Sequence, residues 1–299
     1  MIKPLLSIII VNFNTCQTTL DCIASIFKDK KLSFSQANST DHTIPCEIIL
    51  IDNASQDNSV SIIKKKYPQV IIIENKTNVG FGAANNQGIK IAQGNYLLLL
   101  NSDTIILHSA ISQSLEWLSS HPESLCCTAQ LLNADKTIQA SGGYFPNLLN
   151  CFTWLTCLDD LPFINQIIKP FHPHTPNFYT HDNFYTKDHS QDWLTGAFML
   201  FRQEAIVAVN GFSKDFFMYG EEMEMCYRIS KKFPNQTFDY LIGPQIIHLG
   251  GKSTKDKQQI FDREYLGIET FFKIHQPKWQ LPIIRFLISI NRFLKKCLK

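Results

Sequence analysis

The stretch Phe216–Arg228, FFMYGEEMEMCYR, places Glu221, Glu222 and Glu224 within four positions among aromatic and sulfur-bearing residues. Carboxylates are costly to bury without partners, so an apolar-rich stretch is an unusual place to collect them. Two chemistries fit. A helix starting after Gly220 favours acids through its dipole, and Glu224 with Arg228 forms an i,i+4 pair, which suits Glu224 as a structural residue. That account does not require Glu221 and Glu222 to be flanked by Phe216, Phe217, Tyr219 and Met223. In such surroundings a carboxyl pKa rises towards neutrality, which suits a general base.

A second set of polar residues follows short apolar runs. These are Asn12-Phe13-Asn14, Asp52-Asn53-Ala54-Ser55, the stretch Asn78–Asn86, and Asn101-Ser102-Asp103. Any one alone reads as a turn or helix cap. Four at the ends of neighbouring strands would form one site. Asp103, in LLLLNSDT, is a carboxylate delivered by a buried strand to its exposed end, where it could cap a helix or hold a divalent cation together with substrate phosphates. His248, in IIHLGGKST, could complete such a site as a neutral imidazole. His172, His174, His181 and His189 have irregular spacing and are not read as zinc ligands.

The stretch NVGFGAANNQG invites comparison with the dinucleotide fingerprint. Gly80 and Gly82 form G-x-G, but Asn85 holds the third glycine position, and Asp103 follows about 20 residues on. The motif follows the third strand instead of opening the chain, and a dehydrogenase leaves the glutamates unexplained. The same glycines would let a loop approach a diphosphate closely.

The elements that must carry these residues are visible as strand–helix alternation. Leu6–Val11, Glu47–Ile51, Val70–Ile73 and Tyr96–Leu100 are near-continuous apolar runs, expected as strands covered on both faces. Thr18–Phe27, Asn58–Lys66, Ala83–Ala92 and Ser109–Ser120 read as helices. An α/β fold with a mainly parallel central sheet flanked by helices follows. Residues 28–46 read as a polar surface insertion and 142–192 as an irregular, variable loop. Trp193–Arg202 is strand-like, a helix begins near the glutamates, and Lys257–His275 is a further helix. No repeats are present, and a boundary is expected only near Gln276, giving a 1–275 domain and a 276–299 tail.

At 299 residues, 44% hydrophobic and 18% charged, the chain is globular, with room for a sizeable core. Six of its 28 basic residues and none of its 26 acidic ones lie between Lys278 and Lys299. A mildly acidic body argues against a nucleic-acid binder. Nine cysteines without a C-x-x-C give neither a zinc ribbon nor a disulfide framework and fit a reducing cytoplasm. The apolar run from Pro4 to Val11 is short and lacks a small-residue cleavage site, so it reads as a first strand and not as a signal peptide, and no stretch reaches the length of a bilayer span.

Taken together, SIIIVNFN, IDNASQDNS, NVGFGAANNQGI, LLLLNSDT, DWLTGAFMLFR, GFSKDFFMYGEEMEMCYR and HLGGKST resemble the family 2 glycosyltransferases, especially bacterial rhamnosyltransferase-like members with the GT-A fold. They recur in family order over roughly residues 5–255. The resemblance implies that Asn12 and Asn14 line the nucleotide pocket, that Asp52 binds the base with Asn53 nearby, and that Gly80, Gly82 and Asn86 form the wall beside the sugar nucleotide. Asp103 matches the last acid of the family's metal-binding motif. Asn101 replaces its first acid, so a divalent cation, Mg2+ or Mn2+, would rest mainly on Asp103 and His248. Trp193 and the Thr195-Gly196-Ala197 turn would face donor sugar and acceptor. Glu222 aligns with the family's catalytic base, usually aspartate, with Glu221 as its rival.

The resemblance further implies an inverting, metal-dependent transferase that extends a bacterial surface glycan, lipopolysaccharide or cell-wall polymer. Its donor would be dTDP-L-rhamnose first and a UDP-hexose second, and its acceptor a glycan or lipid-linked glycan. A catalytically silent sugar-nucleotide-binding or scaffold protein on the same fold is the alternative. The tail supplies a location. Arg285, Ser289, Arg292, Lys296 and Lys299 form one polar helical stripe, with Leu281, Ile284, Leu287, Ile288 and Leu294 elsewhere around the helix. The tail reads either as a docking helix or as an interfacial helix on anionic lipid, which would place the chain at the inner face of the cytoplasmic membrane.

Overall fold

The computed structural model describes residues 3–34, 43–161, 164–173, 184–250 and 257–297. In chain order its elements are β1 (Leu6–Asn12), α1 (Cys16–Ile26), β2 (Leu32–Ser33), β3 (Ile44–Asp52), α2 (Ser59–Lys66), β4 (Ile71–Glu74), α3 (Phe81–Ile91), β5 (Tyr96–Asn101), β6 (Thr104–Ile106) and α4 (Ala110–Ser120). There follow β7 (Ser124–Leu132), α5 (Leu148–Leu155), α6 (Ile164–Ile167), β8 (His189–Gln191), β9 (Phe198–Arg202), α7 (Gln203–Ala208), α8 (Glu221–Lys232), β10 (Thr237–His248), α9 (Lys257–His275) and α10 (Gln280–Cys297).

The near-continuous apolar strands are buried on both faces. Ile9, Ile49, Ile51, Leu97 and Leu99 enter one core. Their alternate neighbours Ile8, Ile10, Ile48, Leu50, Leu98 and Leu100 enter the other. That two-residue alternation between two cores explains why the runs show no polar face.

The sheet runs β2-β3-β1-β5-β9-β7-β10-β6, with β4 on β3 and β8 on β10. Strands β1 to β5 pair in parallel. Strand β9 then inserts antiparallel to both β5 and β7, so the second half is mixed. Register does the positioning: Asn12 sits beside Asp52, and Val11 beside Asn101, which brings these polar strand ends to one edge.

Three segments differ from the sequence expectation. The insertion 28–46 contains β2 and the start of β3. Its Asp29 is buried and accepts from the backbone N–H and hydroxyl of Ser112 on α4. Leu32 and Phe34 anchor the stretch, Phe34 edge-on to Phe27, and only 35–42 lie outside the described residues. The irregular stretch 142–192 holds α5, started by an Asn147–Asn150 capping box. Two asparagines replace the usual Ser/Thr and Glu/Gln of that motif, which hid the helix start. Within the same stretch, 162–163 and 174–183, with His174 and His181, lie outside the described residues, as do 251–256 and Lys299.

Third, the stretch after Gln276, expected as a tail, packs on the body along one face, as the docking alternative has it. Helix α10 buries Ile284 and Ile288 in the same core as β1 and β5 residues. Its Asn291 accepts from the Tyr265 hydroxyl and donates to the Leu155 carbonyl, tying α10 to α9 and α5.

Candidate active site

A cavity of about 220 Å³ opens at this sheet edge. Its lining draws on every expected strand end: Phe13 after β1, Asn53 after β3, Asn78 and Phe81 after β4, Asn101 at the end of β5, and Ser102 and Asp103 just beyond it. The Thr195-Gly196-Ala197 turn, Glu221, Glu222 and His248 close it.

Several expected site residues stand behind this wall. The amide of Asn12 donates to Asp52 Oδ1 at 2.7 Å and to Ser55 Oγ at 3.0 Å, while its oxygen accepts from Thr15 and Thr19 hydroxyls. Asp52 Oδ2 accepts from the Ser55 N–H, and Asn14, at φ 53°, accepts from the Gln56 N–H. Asn12, Asn14 and Asp52 thus form a cross-strand knot beside Phe13 and the buried Asn53, both of which line the cavity. None of the three lines the cavity.

Gly80, Gly82 and Asn86 likewise dock α3 against the segment leading to α8. Gly80 has φ 89°, and a Cβ there would lie 2.6 Å from the Phe217 carbonyl oxygen. Gly82 packs against Phe212, and the Asn86 amide brackets the Phe212 backbone, accepting from its N–H and donating to its carbonyl, both at 2.9 Å.

Phe13, Asn78, Phe81 and Ser102 belong to the polar clusters expected to form one site, though without individual roles, while Val11, Met218 and Tyr219 were not assigned to it. Tyr219 carries a signal in hindsight: with Gly220 it forms two successive left-handed residues that turn the chain into α8. Gly142 supports the opposite wall. At φ +75° its N–H donates to Thr195 Oγ1, and a Cβ there would fall 2.0 Å from the Trp193 carbonyl oxygen. Gly142→Ala is therefore expected to cost more than about 1 kcal/mol. Urea unfolding midpoints measure this, and an unchanged midpoint would show that the turn relaxes freely.

The three glutamates have different surroundings. Glu221 is 2% exposed, and burial followed by the neighbouring Glu222 charge pushes its carboxyl well above the usual range. Glu222 is partly exposed to the cavity. Burial raises its pKa too, opposed by its own backbone N–H, the Gly196 N–H and the nearby His172. Each of the two keeps Oε2 without a hydrogen-bond partner. Glu224 is 2% exposed and fully engaged. Arg228 Nε and Nη2 donate to its two oxygens at 2.8 Å each, and His275 Nε2 lies 2.9 Å from Oε1.

Glu222 also lines a second hollow of about 60 Å³ with Phe171, His172, Trp193 and Glu264. The Trp193 indole N–H donates to the Tyr144 carbonyl at 3.2 Å, and His172 Nε2 is 3.1 Å from Glu264 Oε1. Trp193 is thus placed beside Glu222 and outside the larger cavity. Glu222 stands between the two spaces.

Across the larger cavity, β10 pairs antiparallel with β6, placing His248 opposite Thr104. His248 Nε2 comes to 3.4 Å from Asp103 Oδ1, and the Asn101 amide nitrogen is also 3.4 Å from Nε2. No cluster of three or more His, Cys, Asp or Glu side chains stands ready for a metal among the described residues. Two protein ligands with a carboxylate oxygen and an imidazole nitrogen do suit a cation completed by phosphate oxygens and water.

Comparison with known proteins bears on this arrangement. Over 202 residues the chain is 23% identical to the N-acetylglucosaminyl-diphospho-decaprenol L-rhamnosyltransferase of Mycobacterium tuberculosis, covering 62% of each chain. It therefore spans somewhat under two thirds of that relative's length. It is 28% identical over 159 residues to rhamnosyltransferase WbbL of Escherichia coli, covering 50% of this chain and 54% of the other.

Among solved structures, GalNAc-T7 with UDP, GalNAc and Mn2+ superposes with a TM-score of 0.57 at 15% identity, covering 90% of this chain and 48% of the other. A mannosyltransferase from Pyrobaculum calidifontis in complex with GDP-Man and Mn2+ gives 0.53 at 12% identity, covering 97% and 75%. These likenesses establish the GT-A fold. The profile of Glycosyl transferase family 2 matches residues 7–208, from β1 through α7, and stops short of the glutamates. By that match across two thirds of its length, the chain belongs to glycosyl transferase family 2.

Proposed function

We propose that the chain is an inverting glycosyltransferase that moves a sugar from a nucleotide-sugar donor to a glycan or lipid-linked acceptor in bacterial surface-polysaccharide synthesis. The observation that carries this is Glu222. A carboxylate with a raised pKa and an unengaged oxygen stands between the cavity holding Asp103 and His248 and an aromatic hollow holding Trp193. The donor diphosphate fits the first space and the acceptor the second.

In one in-line displacement, the acceptor oxygen forms a bond to the anomeric carbon as the bond from that carbon to the diphosphate oxygen breaks. The acceptor's proton passes to Glu222, so one base suffices and a second carboxylate is not needed. Glu221, more deeply buried, has its carboxyl pushed well above the usual range by burial and by the Glu222 charge, which favours its neutral form. The Gly196 N–H holds Glu222 in place, and the buried Trp193 forms the apolar backing of the hollow beside it. A divalent cation, Mg2+ or Mn2+, held by Asp103 and His248 would neutralise charge on the leaving diphosphate.

L-Rhamnose from dTDP-L-rhamnose is the first donor choice, since two relatives are rhamnosyltransferases by name. A UDP-hexose is the second, supported by 34% identity over 123 residues to a poly(ribitol-phosphate) beta-glucosyltransferase of Bacillus spizizenii. A donor panel read by released nucleoside diphosphate in the presence of a lipid-linked glycan tests this. Turnover is expected, and donor binding without turnover under any acceptor would favour the silent sugar-nucleotide-binding protein.

The same reading places the chain at the cytoplasmic face of a membrane, where lipid-linked acceptors lie. No described helix is long and apolar enough to cross a bilayer. The body takes the apolar face read from the sequence: Ile284 and Ile288 are buried, and Leu281 and Leu287 pack against the core. A different stripe faces outward. Ile283, Phe286 and Phe293 are exposed, with Ile290 between them in the same row, and Trp279 precedes it. Arg285 and Arg292 flank this row while pairing with Glu269 and Asp262.

A ridge of Phe and Ile beside basic residues suits the headgroup region of anionic lipid. Phe286→Glu with Phe293→Glu is expected to weaken sedimentation with phosphatidylglycerol-containing vesicles at least about tenfold. Unchanged partitioning would remove this surface from consideration.

A further inference from the structure

The imidazole of His248 is held from both sides. Nδ1 lies 2.7 Å from Gln139 Oε1, and Nε2 faces Asp103 and Asn101. Which nitrogen carries the proton decides whether the ring offers a lone pair towards Asp103. A chain of side chains sets that choice.

The chain begins at Asp135 on the exposed turn after β7. A hydrogen bond from the Thr137 hydroxyl, the largest influence on its carboxyl, holds it below the usual range, so at neutral pH it only accepts. Thr137 Oγ1 donates to Asp135 Oδ1 at 2.6 Å, which leaves its oxygen to accept from Asn133 Nδ2 at 2.9 Å. Asn133 Oδ1 then accepts from Gln139 Nε2 at 3.0 Å. Gln139 must therefore present Oε1 to the ring, and His248 Nδ1 must be the donor. The Asn101 amide N–H, directed at Nε2, agrees with a lone pair there. That lone pair and the Asp103 carboxylate, 3.4 Å apart, repel each other unless a cation or a proton lies between them.

We propose that Gln139, oriented by Asn133, Thr137 and Asp135, is a positioning residue that fixes His248 in the Nδ1-protonated tautomer and thereby builds, with Asp103, a divalent-cation site. Neither Gln139 nor any of the three supporting residues lines the cavity, so Gln139 would act on a cation only through the ring. The inference rests on the cation site proposed above.

The test uses the full chain and Mn2+ alone, followed by loss of the free Mn2+ resonance. Long-range 1H–15N spectra, assigned to His248 through His248→Ala, report the tautomer. The parent is expected to show an unprotonated Nε2. Gln139→Leu is expected to bind Mn2+ about 10- to 100-fold more weakly and to lose the single tautomer. Gln139→Glu, whose carboxylate also accepts from Nδ1–H, is expected to restore both; a merely structural role would not follow that pattern. The assignment is overturned if the parent carries its ring proton on Nε2, if it binds no Mn2+, or if Gln139→Leu binds like the parent. Nucleotide release by the parent in any of those cases would leave the transferase reading standing.

Discussion

Replacing Glu222 by Gln is expected to lower sugar transfer by about 10²- to 10⁴-fold, the range assigned to a lost general base, while donor binding stays near that of the parent. The expectation follows from placement. Glu222 is the one residue common to both cavities besides Tyr219, and its Oε2 has no hydrogen-bond partner to give up before accepting a proton. Gln fills the same volume and keeps an oxygen for the Gly196 N–H, so the fold around the turn should survive. Glu221→Gln supplies the contrast. Burial and its neighbour's charge push that carboxyl well above the usual range and favour its neutral form, which Gln mimics, so the loss should stay within about tenfold. The pH profile has a defined sign. A base with a raised pKa is idle below that pKa, so turnover rises with pH through a limb above the ordinary carboxylate range. Glu222→Gln should erase the limb along with the rate. Should Glu221→Gln carry the large loss instead, the two glutamates exchange roles.

The parts of the fold that were legible in the sequence are those that depend on composition along one strand. LSIIIV, EIILI and YLLLL can only be strands sandwiched between helices, and their polar ends had to share an edge once the strands were parallel. Less legible was what depends on register between strands. Asn12 and Asp52 stand at the ends of apolar runs, and the family resemblance implies that both meet the nucleotide. The β1–β3 register sets them side by side, where each spends its hydrogen bonds on the other and on Ser55. Gly80 reads from the sequence as a loop glycine that lets a diphosphate approach closely, whereas in the structure the Phe217 backbone lies against it.

Gln139 carried no sequence signal at all. A lone polar residue after a turn becomes informative only when a ring nitrogen appears 2.7 Å away. The tail shows a different limit. Its helical periodicity was plain, but α10 carries two apolar faces, and sequence cannot say which of them the body takes. The buried Ile284 and Ile288 settle that question, and the basic stripe beside Phe286 gains a new neighbour.

Glu224→Ala is expected to destabilise the fold by about 3–5 kcal/mol, the cost of leaving one partner of a buried ion pair uncompensated. Glu224 holds Arg228 through a two-pronged contact, and Arg228 in turn donates to the carbonyls of Val209 and Gly211 at the end of α7. His275 reaches the same carboxylate from the end of α9. One buried group thus ties together three helices around the turn that delivers Glu221 and Glu222. Its titration gives the effect a direction with pH. Burial alone would push the Glu224 carboxyl up, but hydrogen bonds from His275 and Arg228 outweigh it, and the net shift is downward. A depressed folded-state pKa contributes stability that is fully present above the unfolded value of about 4.3 and lost as pH falls through the folded one. Urea unfolding should therefore show the full difference between parent and Glu224→Ala at pH 7, and a smaller one once the pH lies below the folded-state pKa. An equal difference at both would mean that lost packing, and not the charge, accounts for the damage. No difference at pH 7 would mean that α8 holds its place without this pair.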